Sequence, residues 1–472
     1  MFGADDKIPP PALRMADGVD FVPLPVWKIY LIQFLNIAGL GPIFGAILGA
    51  MYGPMAYVWI VGGCIFFGAV HDYFSGMLSV RHNGASVPEI TGHYMGPFFQ
   101  NLMRILTIFL LVLVGVAFVN GPASLLQSLT GGSMKYWLYA IFAYYILATL
   151  LPINKIIGKI YPVFGIALLV MAFMVGGFLI YGGFNGQVNL TEISLSGLKN
   201  LHSNPTTNIL FPMLFIVISC GAISGFHSTQ SPMMARCIQK ESLGRLVFYG
   251  AMISEGIVAI IWATAAMNFF GTTGGLNETF ALHENNPAWV VNEVCQTWFG
   301  KTGAVIAIIG VIACPVTTGD TAFRSARLTI ADIFSFRQNS ITKRLIISVP
   351  IFIAGFILSQ LDFSTIWKFV GISNQVLACI VLWTGASYQI KKGGIHWILS
   401  IPATFMTIVG ITYFLVAPGS NGGLFLPVSI GYLVGIAGGL IALASFLYVN
   451  SKKALARKVH SGLSKKLQGE FR

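Results

Sequence analysis

Long apolar stretches recur along the chain of 472 residues, and each has about the length that a helix needs to cross a bilayer. At ~1.5 Å of rise per residue, ~20 apolar residues span the hydrocarbon core. Such windows predict twelve membrane spans, numbered 1 to 12 below. They lie near residues 27–53, 55–80, 104–127, 135–153, 160–183, 207–235, 244–269, 302–328, 341–359, 365–389, 395–417 and 425–449.

Spans 1 and 6 are interrupted by glycine close to mid-length. Span 1 reads NIAGLGP over residues 36–42, and span 6 reads CGAISG over residues 220–225. Backbone that leaves the helix inside hydrocarbon has unpaired N–H and C=O groups, so it is tolerated only against protein or a water-filled cavity. A pair of such breaks, one in each half of a chain, is typical of the substrate site of a secondary transporter.

Spans 1–5 and 6–10 form two units of five helices, and each unit begins with a broken span. Because five is odd, the second unit crosses the membrane in the opposite direction. At ~1.5 Å per residue, the two breaks lie about 18 Å from the inner face and about 21 Å from the outer face. The sequence predicts an all-α polytopic membrane protein with a 5+5 inverted-repeat core, similar to the leucine transporter, and two C-terminal helices. The predicted segments are a cytoplasmic N-terminal segment (1–26), the first repeat (27–183), the second repeat (207–389), two accessory helices (395–449) and a basic cytoplasmic tail (450–472).

Composition and charge support a membrane protein. Hydrophobic residues make up 55% of the chain and charged residues only 9%, with a mean hydropathy of +0.77, whereas soluble domains carry about 25% charged residues. Basic residues concentrate in cytoplasmic loops of membrane proteins. With residues 1–26 inside, all of the 28 Lys and Arg residues lie on the cytoplasmic side except Lys135, Lys199, Lys301 and Lys368. This fits a multi-pass protein of the inner membrane with a cytoplasmic C-terminus and no nucleic-acid partner.

The two breaks predict a site for a small carboxylate. The N–H groups at the start of a half-helix and its dipole favour an anion, and glycine lets the backbone approach a ligand closely. The alternative is that these are packing glycines and a Pro kink, which are common in membrane helices. The predicted substrate-binding residues are Asn36, Gly39 and Gly41 in span 1 and Ser224, Gly225, His227, Ser228 and Gln230 in span 6.

Span 2 contains His71 and Asp72, which predict a proton-coupling site. Ionisable side chains inside a membrane are costly and usually functional, and histidine changes charge near neutral pH. The alternative is a buried structural pair near the cytoplasmic end of the span. Glu255 in span 7 is a weaker candidate, because no other functional residue flanks it in the sequence.

Span 8 contains Thr317, Thr318 and Asp320, which predict a second coupling site. Hydroxyl and carboxylate oxygens suit Na⁺, and Asp320 could instead accept a proton. In an inverted-repeat core, span 8 faces the break of span 1, whose carbonyl oxygens can complete a cation site. The alternative is that Asp320 and Arg324 neutralise each other, because they are four residues apart on one helix face.

The sequence contains no motif that predicts an enzyme. No phosphate-binding loop, nucleophile elbow or zinc-protease motif is present, and the six cysteines show no spacing typical of a metal site. We therefore expect no cofactor and no metal, with H⁺ or Na⁺ as the coupling ion. The competing function is a membrane sensor or regulatory subunit that binds a metabolite without moving it.

Six short segments resemble the carbon starvation protein family. They read DGVDFVP at 17–23, NIAGLGP at 36–42, GAVHD at 68–72, SVRHNG at 79–84, SGFHSTQ at 224–230 and TGDTAFR at 318–324. The resemblance implies uptake of peptides or pyruvate when carbon runs short, with proton coupling. It also implies the fold of the amino acid–polyamine–organocation superfamily.

The sequence departs from that family at both ends. Members usually carry one more apolar helix before the segment that corresponds to residues 1–6, which indicates a shortened gene model and leaves the side of the N-terminus open. The chain also resembles the shorter members, which lack a long C-terminal extension. Pyruvate and peptides are not separated by the sequence, because a carboxylate needs only an anion site, whereas a peptide also needs an acidic partner for its amine.

Overall fold

The protein is helical throughout the part that the structure describes. The structure is a computed structural model that describes residues 2–18, 21–150, 161–336 and 340–469. The first unit comprises Val26–Ala38 and Gly41–Ala50 (span 1), Met55–Arg81 (span 2), Pro97–Thr130 (span 3), Met134–Leu150 (span 4) and Tyr161–Phe184 (span 5). The second comprises Leu210–Val217 and Gly225–Ala235 (span 6), Arg245–Phe269 (span 7), Pro287–Ile333 (span 8), Ile341–Leu358 (span 9) and Phe363–Lys392 (span 10). Trp397–Val416 (span 11) and Val428–Gly469 (span 12) follow.

Every predicted span therefore contains helix. Within the described residues, nine helices are long and apolar enough to cross a membrane, and the two halves of span 1, bent by 51°, make a tenth. Span 4 has 17 described residues, and span 6 consists of two short helices. The predicted inner loop with Lys155 and Lys159 lies outside the described residues. The boundaries of the two repeats stay predictions.

The break in span 1 depends on glycine and proline. The first half-helix, 1a (Val26–Ala38), ends where Gly39 adopts φ +21° and ψ −139°, a conformation that L side chains rarely reach. The second half, 1b (Gly41–Ala50), restarts with a π-helical turn, and Pro42 lies in that first turn. Proline suits this position because its missing N–H would have no helical partner there.

The break in span 6 is longer, and local contacts satisfy its backbone. Half-helix 6a (Leu210–Val217) and half-helix 6b (Gly225–Ala235) are separated by a loop in which the N–H groups of Ala222 and Ile223 donate to the carbonyl of Ser219. The indole of Trp59 in span 2 donates to the carbonyl of Ile218 at 3.0 Å. These contacts satisfy two N–H groups and two carbonyl groups of the loop.

The two breaks pack directly against each other. A Cβ added to Gly41 would overlap the Cβ of Cys220, and one added to Gly45 would lie 3.1 Å from the carbonyl oxygen of Val217. One added to Gly49 would overlap the side chain of Ile218. Three glycines at four-residue spacing thus let half-helix 1b approach span 6 at backbone distance, as small residues do in membrane helix pairs.

An ion pair between the end of span 2 and the segment before span 7 also holds the N-terminal segment. The guanidinium of Arg81 donates to both carboxylate oxygens of Glu241 at 2.6 and 2.7 Å, and to the carbonyl of Gly3. Glu241 is 1% exposed and also accepts from the backbone N–H of Asp5. Nearby, the ring of Phe2 stacks on Tyr388 in span 10. The N-terminal segment therefore connects spans 2, 7 and 10.

We predict that Gly41→Ala destabilises the protein by about 1–3 kcal/mol, because the added methyl group overlaps Cys220. The measurement is the melting temperature of the purified protein in detergent. The control is Gly62→Ala in span 2, where an added Cβ meets nothing within 4 Å. Equal melting temperatures for the two variants would contradict the close approach of the breaks.

We also predict that Glu241→Gln destabilises the protein by about 2–3 kcal/mol, because Arg81 loses its buried anionic partner. The matched control is Glu89→Gln. Glu89 pairs with Arg104 on the same face, but it is 38% exposed, so its loss should cost less than about 1 kcal/mol. Chemical or thermal unfolding of both variants checks this difference, and equal losses would argue against it.

Candidate functional site

Four ionisable side chains from three spans form one buried row, called the ionisable cluster below. Asp72 accepts from His71 Nδ1 at 2.7 Å and from His227 Nδ1 at 2.8 Å, one at each carboxylate oxygen. On the other side of the His227 ring, Nε2 lies 3.2 Å from Oε2 of Glu255. All four side chains are completely buried. Sequence reasoning singled out all four residues but placed no contact between them.

The members of the cluster lie after irregular turns of helix in spans 2 and 6 and beside a close helix contact in span 7. His71 and Asp72 follow a π-helical turn at Cys64–Gly68 in span 2. His227 lies in the first turn of half-helix 6b, directly after the break. Glu255 lies in span 7, next to Gly256, where an added Cβ would meet Cys64 at 2.5 Å. The cluster thus links the half-helix beyond the break to spans 2 and 7.

The cluster can hold and pass a proton. With Asp72 ionised, the Nδ1–H groups of both imidazoles donate to it, and Nε2 of His227 faces the Glu255 carboxyl group. One proton can be shared between them. On Glu255 it gives a carboxylic acid beside a neutral imidazole, and on His227 it gives an imidazolium beside a carboxylate. Because charge is costly in a low-dielectric interior, the two partners are held to one shared proton. Histidine–carboxylate pairs of this kind serve as proton relays in membrane transporters.

Four buried atoms of the cluster make no hydrogen bond within the described residues: Nε2 of His71, Nε2 of His227 and both carboxylate oxygens of Glu255. Nε2 of His227 and Oε2 of Glu255 lie 3.2 Å apart. Buried polar atoms are usually paired. Nε2 of His71 and Oε1 of Glu255 are therefore the two ends of the row at which a further polar partner would be satisfied.

The predicted residues of span 1 lie next to the first break. Asn36 is completely buried, and both of its amide atoms lack a hydrogen-bond partner in the described part of the chain. The same holds for Gln33, one turn earlier. An added Cβ on Gly39 would lie 2.5 Å from the ring of Phe118 in span 3, which also contacts Phe226 of half-helix 6b. Four amide atoms therefore remain free to bind a polar guest.

The predicted residues of span 6 are partly occupied by local contacts. Asn374 of span 10 accepts from the backbone N–H of Phe226 at 2.7 Å and from the hydroxyl of Ser224 at 3.1 Å. It thus caps the start of half-helix 6b, where the sequence predicts free N–H groups for an anion. The Ser228 hydroxyl donates to the carbonyl of Gly225, and Oε1 of Gln230 is buried without a partner among the described residues.

The hydroxyl groups of span 8 reach span 1. Thr318 donates to the carbonyl of Leu35 at 3.0 Å, just before the first break, and Cys314 contacts the same carbonyl. The expected proximity of span 8 to the break of span 1 is therefore present. Thr317 donates instead to carbonyls of its own helix. Whether these oxygens bind a cation stays a prediction.

Asp320 lies in a separate polar site. Its Oδ2 accepts from the hydroxyl of Tyr161 at 3.0 Å and lies 3.7 Å from the guanidinium of Arg324, which also donates to the carbonyl of Ala148. Oδ1 has no partner among the described residues. In the same part of the chain, no hydrogen bond or ion pair joins Asp320 to the ionisable cluster. The two predicted coupling sites are thus distinct.

Three donors converge beside the second break. Cys220, His227 and Glu255 place ligand atoms within 4.8 Å of one another. Thiolate, imidazole and carboxylate are zinc ligands, and a tetrahedral site would need a fourth. The sequence spacing predicts no metal site, and this arrangement leaves that expectation untested.

Two cavities lie on opposite sides of the breaks. The outer cavity has a volume of about 310 Å³ and is lined by both half-helix 1b and half-helix 6a. The inner cavity has about 50 Å³ and is lined by half-helix 6b and the inner end of span 8. Trp367 of span 10 lines the outer cavity and packs on Phe44 beside the first break. The cavity beside half-helices 1b and 6a is therefore the larger of these two.

Sequence reasoning missed four residues of this region and undervalued one. It had no signal for Gln33, Phe118, Trp367 or Asn374, because polar or aromatic residues within a span are common. Glu255 is a weak candidate in the sequence, because no other candidate functional residue lies close to it along the chain. Its neighbours come from other spans, so only the fold reveals them.

The chain is similar to several bacterial proteins. It is 43% identical over 330 residues to an uncharacterised membrane protein of Haemophilus influenzae, which covers 60% of this chain and 88% of that one. It is 26% identical over 492 residues to the peptide transporter CstA of Bacillus subtilis, covering 82% and 80%. It is 26% identical over 328 residues to the pyruvate/proton symporter BtsT of Escherichia coli, covering 54% and 44%.

Solved structures show the same fold at low sequence identity. The inward-facing conformation of Mhp1 matches with a TM-score of 0.52 and 13% identity, covering 90% of this chain and 91% of that one. A manganese transporter mutant of Eremococcus coleocola matches with a TM-score of 0.51 and 13% identity, covering 92% and 98%. These likenesses confirm the leucine-transporter-like fold.

The family model described as carbon starvation protein CstA matches residues 1–181, 119–306 and 288–413. These ranges cover the breaks of spans 1 and 6, the ionisable cluster and Asp320. The chain therefore belongs to the carbon starvation protein CstA family.

Proposed function

We propose that the protein is a secondary active transporter that imports a small carboxylate, such as pyruvate, or short peptides by proton symport. The observation that carries this proposal is the position of the ionisable cluster. His227 lies two residues beyond the break of span 6, and it is bound to Asp72 of span 2 and faces Glu255 of span 7. A proton acceptor thus lies beside the junction of the two breaks.

The geometry explains how a proton and a substrate would be coupled. A substrate at the breaks contacts the end of half-helix 6b, and the same half-helix is held to span 2 by the bond between His227 and Asp72. Protonation of Asp72, or transfer of the shared proton from His227 to Glu255, weakens that bond, because one partner of the imidazolium–carboxylate pair loses its charge. The position of half-helix 6b would then depend on both ligands, which is the requirement for symport.

The named relatives support a transporter. Relatives in the family are named as peptide transporters or as a pyruvate/proton symporter, and the solved structures of the same fold include transporters. We place the protein in the inner membrane with a cytoplasmic C-terminus, on the distribution of basic residues. The competing function, a sensor that binds the metabolite without moving it, is distinguished by uptake measurements.

The first test is uptake of labelled pyruvate and a labelled dipeptide by the purified protein in liposomes. We expect uptake of at least one substrate to increase with an inward proton gradient and to be unaffected when choline replaces Na⁺. Binding without uptake would favour the sensor. Uptake that depends on Na⁺ alone would replace proton coupling by a cation site near Thr318.

We predict that Asp72→Asn and Glu255→Gln each reduce gradient-driven uptake at least tenfold. The amide introduced by Asp72→Asn cannot accept from both imidazoles without placing its NH₂ against one of them, and the side chain introduced by Glu255→Gln cannot exchange a proton with His227. The control is Glu89→Gln, which removes an exposed carboxylate. Full gradient-driven uptake in both cluster variants would remove the cluster from the mechanism.

We predict that Asp320→Asn lowers stability by about 3–5 kcal/mol, because it leaves the buried guanidinium of Arg324 without its carboxylate. Combining it with Arg324→Gln should restore the melting temperature. If Asp320 also carries the coupling proton, gradient-driven uptake stays low in the double variant. Recovery of both properties would show that Asp320 and Arg324 are a structural pair.

A further inference from the structure

Cys220, His227 and Glu255 form a group, called the three-ligand group below, whose spacing suits a metal ion. One ligand atom of each residue lies within 4.8 Å of the other two, and all three side chains are buried. Cys220 belongs to the loop between the two halves of span 6, His227 to half-helix 6b and Glu255 to span 7. Three elements of the fold therefore bring sulfur, nitrogen and oxygen to one place.

The separations in the group match the size of a tetrahedral zinc site. Zn²⁺ binds imidazole nitrogen and carboxylate oxygen at ~2.0–2.2 Å, so two such atoms at a tetrahedral angle lie ~3.3 Å apart. Nε2 of His227 and Oε2 of Glu255 lie 3.2 Å apart. A zinc–sulfur distance of ~2.3 Å places the sulfur ~3.5 Å from each of them, inside the 4.8 Å limit of the group. The nitrogen and the oxygen already lie at the distance at which one ion would bind both.

The ligand atoms of His227 and Glu255 have no hydrogen-bond partner. Nε2 of His227 and both carboxylate oxygens of Glu255 are buried without one in the part of the chain that the structure describes, although buried polar atoms are usually paired. A proton shared between Nε2 and Oε2 satisfies only one of the two oxygens. A metal ion can bind the nitrogen and one or both oxygens, and with one oxygen bound it keeps a position open for water or for a substrate carboxylate.

The surroundings orient the ligands as they do in metal sites. A histidine ligand typically donates its other ring N–H to a carboxylate, which fixes the ring, and Nδ1 of His227 donates to Oδ2 of Asp72 at 2.8 Å. The sulfur of Cys220 accepts from the side-chain amide of Asn374 at 3.5 Å and from the hydroxyl of Ser219 at 3.9 Å. The imidazole and the sulfur are therefore both held in place by outer partners.

We propose that Cys220, His227 and Glu255 bind a divalent transition-metal ion, with Zn²⁺ as the best match. Sulfur and imidazole ligands disfavour Mg²⁺ and Ca²⁺, which prefer oxygen. Thiolate, imidazole and carboxylate in a site with three protein ligands and one open position are typical of Zn²⁺. This proposal goes beyond the transport function and does not depend on it, because metal binding is measured in the absence of transport.

A bound ion would join the elements that meet at the breaks. Cys220 lies against Gly41 of half-helix 1b, and His227 lies in the first turn of half-helix 6b. Bonds from one ion to these residues and to Glu255 would tie the loop of span 6 and half-helix 6b to span 7. We therefore expect Zn²⁺ to hold the broken span in one position.

The test is equilibrium binding of Zn²⁺ to the full chain in lipid nanodiscs, after removal of the purification tag and treatment with a chelator. The variants are Cys220→Ala and Glu255→Gln. The matched controls are Cys295→Ala, which removes a buried thiol of span 8, and Glu89→Gln, which removes a carboxylate near the inner face. Neither control residue belongs to the three-ligand group. The melting temperature of each metal-free variant identifies one that misfolds.

We expect one Zn²⁺ ion per chain in the wild-type protein. Loss of an outer-shell partner typically weakens metal binding ~10–100-fold, so loss of a ligand in Cys220→Ala or Glu255→Gln should raise the Kd by at least about a hundredfold. The two controls should bind as the wild-type protein does. Equal Kd values in the wild-type protein and all four variants would overturn the proposal.

Co²⁺ gives a second measurement that reports the ligands of the wild-type protein directly. A bond between Co²⁺ and a cysteine sulfur produces charge-transfer absorption in the near ultraviolet, and a tetrahedral site produces intense visible absorption. We expect both signals in the wild-type protein and in Cys295→Ala, and neither in Cys220→Ala. A wild-type spectrum without the sulfur signal, or a sulfur signal that survives Cys220→Ala, would overturn the proposal.

Uptake by the same proteins keeps this proposal separate from the transport function. Zinc binding that depends on Cys220 and Glu255, without uptake of pyruvate or dipeptide, would keep the metal site and remove transport. Gradient-driven uptake without zinc binding would keep transport and remove the metal site. Where both occur, we expect Zn²⁺ to reduce uptake several-fold in the wild-type protein and not in Cys220→Ala, each compared with the same protein without the metal.

Discussion

The structure depends on the need to satisfy backbone polar groups inside a membrane. A helix satisfies them internally, and a break does not. Here each break is enclosed by the other and by neighbouring spans: Cys220 covers Gly41, and the Trp59 indole pairs with the carbonyl of Ile218. Neither break could exist alone in hydrocarbon. Because the two breaks enclose each other, both can exist inside the membrane. Their contact also creates the irregular, polar surface on which a substrate site can form.

The same constraint applies to charge. Two carboxylates and two imidazoles are completely buried in the ionisable cluster, and such groups persist in a low dielectric only when they neutralise one another. The hydrogen bonds from His71 and His227 to Asp72 satisfy both oxygens of this carboxylate across span 2 and half-helix 6b. Half-helix 6b begins at the break. The bond between His227 and Asp72 therefore both pairs the buried Asp72 carboxylate and fixes the position of the half-helix that borders the break.

The sequence predicted features that depend on neighbouring residues, such as spans and breaks, but not contacts between residues far apart in the chain. Apolar windows fall on helix in each predicted span, nine or ten of which are long and apolar enough to cross a membrane within the described residues. Gly39, Gly41 and Pro42 located the first break to within a residue, because conformational preferences act over a few neighbours. The meeting of Glu255 with His227 and the cap of Asn374 on half-helix 6b join residues far apart in the chain. Single-residue chemistry identifies such groups as unusual, but only packing decides which partner each one meets.

The glycines at 41, 45 and 49 have a mechanical consequence. They give half-helix 1b a bare face that lies against the side chains of Cys220 and Ile218 and the carbonyl oxygen of Val217, at the end of half-helix 6a and the start of the loop that follows it. Because these contacts leave no room for a methyl group at Gly41 or Gly49, a change in the angle of half-helix 1b disturbs the loop of span 6 at the same time.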